Sequence, residues 1–215
     1  MNHLHHPRAR RAAVATLTGA LALPVLWAMA PLAAQAATIG CTQTIRGAHS
    51  GVLNVAANQR LCLRGAVQDG AVNVAPNGAL SVANSTITGA VTLKSGYADF
   101  DFCGSKTVRG AISATGGKGK VLIGGSGVLG AVSCPANTID GAVTLDANKA
   151  GVTLARSYIA GAVTASANLG GTVISGNTIG GALTCTTNVP APTNAGVTNV
   201  VGGGRSGQTC AVLTF

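Results

Sequence analysis

The chain has 215 residues, 31 of them Gly; 47% are hydrophobic, only 9% are charged, and the formal net charge is +9. All five acidic residues are Asp, and Glu is absent. That poverty of charge excludes coiled coils and helix-rich enzymes, whose amphipathic helices draw on Glu, Lys, Arg and Leu, and it leaves a β-rich architecture.

At the N-terminus, Arg8, Arg10 and Arg11 precede an Ala/Leu-rich run from Ala12 to Ala33 that ends in Ala34-Gln35-Ala36. Basic, apolar and small-x-small segments in that order read as a secretory signal peptide over 1–36, cleaved after Ala36, and predict an extracellular or periplasmic location. The alternative is an uncleaved anchor, against which Pro24 and the Ala-rich composition count. The chain after 36 keeps eleven Lys/Arg against five Asp, a net charge near +6. This mild, scattered basicity suits an anionic polysaccharide or cell-wall polymer as partner. The few remaining aromatics (Tyr97, Phe100, Phe102, Tyr158 and Phe215) are too sparse for a nucleic-acid platform, and no membrane association is expected once the signal is removed.

Six cysteines follow the expected cleavage site: Cys41, Cys62, Cys103, Cys134, Cys185 and Cys210. An even count in an exported chain reads as disulfides, and sequential pairing is expected because each pair closes a local loop. With no C-x-x-C and His49 as the one His after residue 36, neither a metal nor a cofactor is expected. Residues 37–69 are assigned to an N-terminal cap and first coil.

From residue 70 to 189 one unit recurs. It begins Gly70-Ala-Val-Asn, Gly89-Ala-Val-Thr, Gly110-Ala-Ile-Ser, Gly130-Ala-Val-Ser, Gly141-Ala-Val-Thr, Gly161-Ala-Val-Thr and Gly181-Ala-Leu-Thr, mostly 19–21 residues apart. Such a period marks a solenoid. A branched apolar residue stands two before most of these glycines (Ile87, Val108, Val128, Ile139, Ile159, Ile179, and Ile45 before Gly47), and another stands two after. The shared parity predicts a strand whose Ile/Val/Leu face is buried. Seven residues after the glycine comes Asn77, Asn137, Asn148, Asn168 or Asn188, with Gly96 and Gly117 in the other units. This column predicts a left-handed turn and a stacked amide ladder. A second strand follows, as in Gly151-Val-Thr-Leu. The expected fold is all-β: a right-handed parallel β-helix of about eight coils with disulfide-tethered caps, and at ~4.8 Å per coil a rod of ~40 Å. An antiparallel sandwich would not repeat side-chain identity at a fixed period.

Two stretches depart from the period. Tyr97-Ala-Asp-Phe-Asp-Phe-Cys-Gly is expected to replace half a coil, and the eleven-residue step from Gly130 to Gly141 implies a short coil or a bulge closed by Pro135. Residues 190–215, with Pro190, Pro192, a strand at 197–201 and Cys210, are assigned to a C-terminal cap.

The pattern Asn-Thr-Ile-x-Gly-x-Val/Leu-Thr at 137–144 and 177–184, with the tail Leu183-Thr-Cys185-Thr-Thr-Asn188 to Ser206-Gly207-Gln208-x-Cys210, resembles exported bacterial right-handed parallel β-helix proteins of uncharacterised function. The likeness covers residues 70–210. This chain has Ala after the repeat glycine where that family usually has Asn. The architecture is more distantly similar to that of pectate lyases, a resemblance of fold that carries no site.

Glycan hydrolysis needs paired carboxylates, and β-elimination needs a base beside a cation. Asp99 and Asp101, two apart and followed by Lys106 and Arg109, are the one candidate constellation for a polysaccharide lyase or hydrolase. The plainer reading is a solvated loop. His49 reads as a polar cap residue, and the Lys118/Lys120 pair as a solvated corner. The outward parity offers Thr92, Ser113, Ser133, Thr144, Thr164 and Thr184 beside an Ala column, a charge-free ladder expected either to bind a repeating ligand or ice, or simply to reflect how well Thr suits exposed strands. The leading expectation is a secreted, non-catalytic scaffold or binding protein for an extracellular polymer.

Overall fold

In the computed structural model, residues 40–107, 109–124 and 134–215 are described, all within one compact unit. The expected signal peptide, Val108, Val128, Gly130 and Ser133 lie outside them. Each coil consists of three short strands, so the solenoid has three faces. The first carries the leading parts of Gln43–Ser50 and Arg60–Asp69, then Ala79–Ala83, Phe100–Cys103, Val121–Ile123, Val152–Ala155 and Thr172–Ser175. Opposite the trailing parts of those two long strands, the second continues with Thr86–Ile87, Lys106–Thr107, Asn137–Ile139, Ser157–Ile159, Thr178–Ile179 and Val200–Val201. The third runs from Leu53–Val55 through Val72–Val74, Val91–Leu93, Ile112–Thr115, Val143–Asp146, Val163–Ser166 and Leu183–Thr186 to Arg205–Ser206. The first two faces form a single 13-stranded sheet because Arg60–Asp69 runs unbroken through their shared corner; the third is an 8-stranded sheet. Every named pairing is parallel, which makes a β-solenoid of eight coils.

The alternation read from the sequence sets the core. Val72, Val91, Ile112, Val143, Val163 and Leu183 pair in register and are fully buried, as are Ile87, Ile139 and Ile159 from the second face and Leu80, Val82 and Leu154 from the first. Each such side chain contributes about 1.5–3 kcal/mol relative to exposure. Tyr97–Gly104 does not interrupt the coil. Phe100–Cys103 pairs with both neighbours, and Phe100 and Phe102 point inward with ring centroids 6.2 Å apart. The departure there is in side-chain size, not backbone path.

Gln43–Val55 forms a full coil, inside the stretch 37–69 assigned to the cap and first coil, and the coiling continues past residue 189. At the other end Thr193 bridges to Val173 and Ser206 pairs with Thr184, so only the 3₁₀ turn Gln208–Ala211 and the tail close the rod. Ile45 belongs to the first face, opposite Leu63, and so lies outside the Ile column of the second face. The Gly130 unit lies outside the described residues. Ile112 pairs directly with Val143, 31 residues on, whereas Val143 pairs with Val163, 20 residues on. The difference in chain length falls between the strands Val121–Ile123 and Asn137–Ile139. Thr107 fills the inward place between Ile87 and Ile139.

Three corners connect the faces, each solved differently. Between the second and third faces the repeat glycines stack: Gly161 N–H donates to Gly141 O at 3.2 Å and Gly181 N–H to Gly161 O at 3.1 Å. A Cβ on Gly161 would stand 2.6 Å from the Ala142 nitrogen, so the coil spacing itself demands Gly. Between the third and first faces Asn148, Asn168 and Asn188 point inward. Asn148 Nδ2 donates to Asn168 Oδ1 (2.9 Å), Asn168 Nδ2 to Asn188 Oδ1 (2.8 Å) and Asn188 Nδ2 to Gln208 Oε1 (2.9 Å). The left-handed residues there are Ala147, Ala167 and Thr187, one before each Asn, which frees the amide for the ladder. Further along this corner Tyr97 spans two coils to donate to Asn148 Oδ1 at 2.6 Å, over Gly117, where a Cβ would collide with its ring. Burial, then the Asp99 charge, pushes the Tyr97 hydroxyl well above its ordinary pKa, so it remains a donor. Asn137 belongs not to this ladder but to the one between the first and second faces, in line with Ser85, Ser105, Ser157, Asn177 and Asn199.

Disulfides Cys41–Cys62, Cys103–Cys134 and Cys185–Cys210 are present, as sequential pairing predicts. Cys185 points into the core and Cys210 sits buried in the terminal 3₁₀ turn, so this bond fastens the cap over the last coil.

Candidate binding faces and the fate of the acidic residues

The third face carries the ladder of small polar side chains. Its outward register runs Asn54, Asn73, Thr92, Ser113, Thr144, Thr164, Thr184, Ser206. Ser113 is followed directly by Thr144; Ser133, expected on this ladder, lies outside the described residues. A second rank, Thr115, Asp146, Ser166 and Thr186, runs beside it. The ranks are tied along the rod: Thr184 Oγ1 and Ser206 Oγ are 3.0 Å apart, and Thr186 Oγ1 donates to Ser166 Oγ at 3.1 Å. Asp146 is the one carboxylate on these two ranks.

The Asp99/Asp101 pair is not assembled as a site. Asp99 lies at the corner before the strand Phe100–Cys103, and its Oδ1 accepts the Lys120 backbone N–H at 3.1 Å. Asp101 lies on the first face, where Ser81 Oγ donates to its Oδ2 at 3.0 Å and Arg64 reaches the same Ser81. Burial raises the Asp101 pKa, opposed by the Ser81 hydrogen bond and the Arg64 charge. Lys106 is on the second face, and Arg109 is at the next corner, its N–H donating to Asp140 Oδ2 at 3.3 Å. Asp69 accepts from Thr88 Oγ1 at 2.7 Å. Four of the five carboxylates thus satisfy a local donor, each at its own place. His49 Nδ1 lies 2.6 Å from Gln68 Oε1 in the first coils, a structural pairing. Lys118 Nζ donates to Asn77 Oδ1 at 2.7 Å, which ties one corner lysine to the scaffold. Among the described residues no three His, Cys, Asp or Glu come together as metal ligands.

Two residues not singled out from the sequence line an open groove of about 630 Å³ at the corner between the first and second faces. Arg156 is at the corner itself and Tyr158, 59% exposed, is on the second face, with Thr153, Ser175, Thr178 and Val197 around them. A second groove of about 350 Å³ on the first face includes Lys120, Leu122, Thr193 and, again, Thr153. Aligning the repeats would have flagged both: Tyr158 pairs with Thr138 and Thr178, and Arg156 stands where the next coil has Gly176.

Comparison with protein-family models, with curated proteins and with solved structures finds no match to this chain. The functional reading therefore rests on the chain's own geometry.

Proposed function

We propose that the chain is an exported, non-catalytic β-solenoid that binds an extracellular or cell-surface polymer along its length. The observation that carries this reading is the repetition of outward groups at the fixed rung spacing, ~4.8 Å, over eight coils. A repeating ligand can meet the same contact many times on such a surface, and the backbone holds those contacts in place before binding. Dispersal of the carboxylates among separate corners and faces supports binding over depolymerisation, which requires two acids or a base and a cation at one point. The test is co-sedimentation of residues 37–215 with cell-wall material and with acidic and neutral polysaccharides, followed by assay of the polymer. Binding with no new reducing ends and no unsaturated product is the expected result. Turnover that disappears in Asp101→Ala would replace this reading with the enzyme alternative.

The in-register hydroxyl ranks of the third face favour a second reading, a surface matched to a crystalline ligand such as ice. A freezing-point gap abolished in Thr164→Lys would place that activity on the Thr144/Thr164/Thr184 rank. No gap and no crystal shaping in the parent would remove it.

A further inference from the structure

We infer that two adjacent grooves, one holding Lys120 on the first face and one holding Arg156 and Tyr158 at the next corner, make up a trough that binds an acidic glycan, one whose sugar units carry carboxylates. The inference rests on the polymer-binding reading above and gives it a site and a ligand class.

The first support is a backbone exception. At the corner between the first and second faces the chain turns through one left-handed residue just before the Ser/Asn ladder. In the coils that turn without extra residues these are Gly65 (φ 60°), Asn84 (φ 50°), Gly104 (φ 55°), Arg156 (φ 50°) and Gly176 (φ 62°). Gly takes this conformation freely and Asn tolerates it, whereas a long side chain is strained there. Arg156 is the one long side chain among them, standing where the other coils have Gly or Asn.

A second exception lies in the same coil. The outward column of the second face reads Val67, Thr86, Lys106, Thr138, Tyr158, Thr178, Val200, and Tyr158 is its one aromatic member. Both exceptions line the same groove.

The chemistry of the lining then selects the ligand. Neither the Arg156 guanidinium, the Lys120 ammonium nor the Tyr158 hydroxyl hydrogen-bonds to any described residue, and no carboxylate lines either groove. These two cations, without a side-chain partner among the described residues, and the hydroxyls of Thr153, Thr178 and Thr193 match a chain of hydroxyl groups bearing carboxylates. Arg offers a carboxylate its two parallel N–H donors, and the tyrosine ring offers an apolar platform for the flat face of a sugar. Thr153 lines both grooves, which sets them side by side on the first face.

The test is calorimetric titration of residues 37–215 with polygalacturonate and with its fully methyl-esterified form, alongside melting curves for each variant. Polygalacturonate is expected to bind and the neutral ester to bind much more weakly. Arg156→Gly, which restores the residue type of its column, and Tyr158→Thr, which restores that of its neighbours, are each expected to weaken binding about tenfold. Arg156→Gly should melt no lower than the parent. Undiminished binding in both variants would overturn the trough while leaving polymer binding intact, and equal binding of acid and ester would overturn the acidic class. If cell-wall material binds but neither form of polygalacturonate does, the ligand class fails alone; if nothing binds, the underlying reading fails with it.

Discussion

Asp101 shows how little of a side chain's environment follows from its place in a strand. Its parity, outward on the first face, could be read from the sequence. The Ser81 and Arg64 groups that oppose its burial come from coils 20 and 37 residues earlier, and neither they nor the burial could be read from the strand pattern. Burial raises the folded-state pKa above that of the unfolded chain. The protonated form is therefore the one favoured by folding, and the stability this group contributes is present at low pH and lost as pH rises through the folded pKa. Asp101→Asn, which keeps an acceptor for Ser81 Oγ, should melt close to the parent near pH ~3, below the ordinary carboxylate range, and above it at neutral pH. Melting temperatures of the two proteins across that span check this; a difference that is constant with pH, or that turns against the variant as pH rises, would contradict it. Tyr97 was legible only as an aromatic in an odd place, because its role depends on the space that Gly117 leaves one coil away.

At the scale of the strand and corner, most of the structure was legible because the repeat enforces it. Val143 and Leu145 announce one buried face by alternation, while Ile139, which the same parity assigns to that strand, lies on the second face before the glycine corner; Asn148, Asn168 and Asn188 announce a ladder by recurring at 20-residue steps. The eleven-residue step from Gly130 to Gly141 could not be placed from the motif alone, because pairing is a property of two distant segments: Ile112 pairs with Val143, 31 residues on. The repeat glycines supply a sharper test of the stacking. Gly161→Ala would drive a Cβ to within 2.6 Å of the Ala142 nitrogen, whereas at Gly151 the nearest atom would be an ordinary 3.5 Å away. Unfolding in urea should show Gly161→Ala destabilised by about 3 kcal/mol. Gly151→Ala should lie within ~0.5 kcal/mol of the parent. Equal effects at the two positions would mean that the coils are not in close backbone contact at the glycine corner.

For the whole molecule, eight parallel coils closed by the Cys185–Cys210 bond present long, unbranched faces of fixed spacing. The period announced that shape, whereas the separate surroundings of Asp99 and Asp101, the one candidate pair in the sequence, emerged only from the fold. What the sequence did not announce is the trough, since Arg156 and Tyr158 stand out only against the residues stacked above and below them. The most direct measurement is native electrophoresis of residues 37–215 through gels cast with an acidic polysaccharide, with a neutral one, and with none, followed by sizing of the polymer recovered from the track. The account predicts retardation in the acidic gel, relieved by added salt, with the polymer unchanged in length. Equal mobility in all three gels, or a shortened polymer, would contradict it.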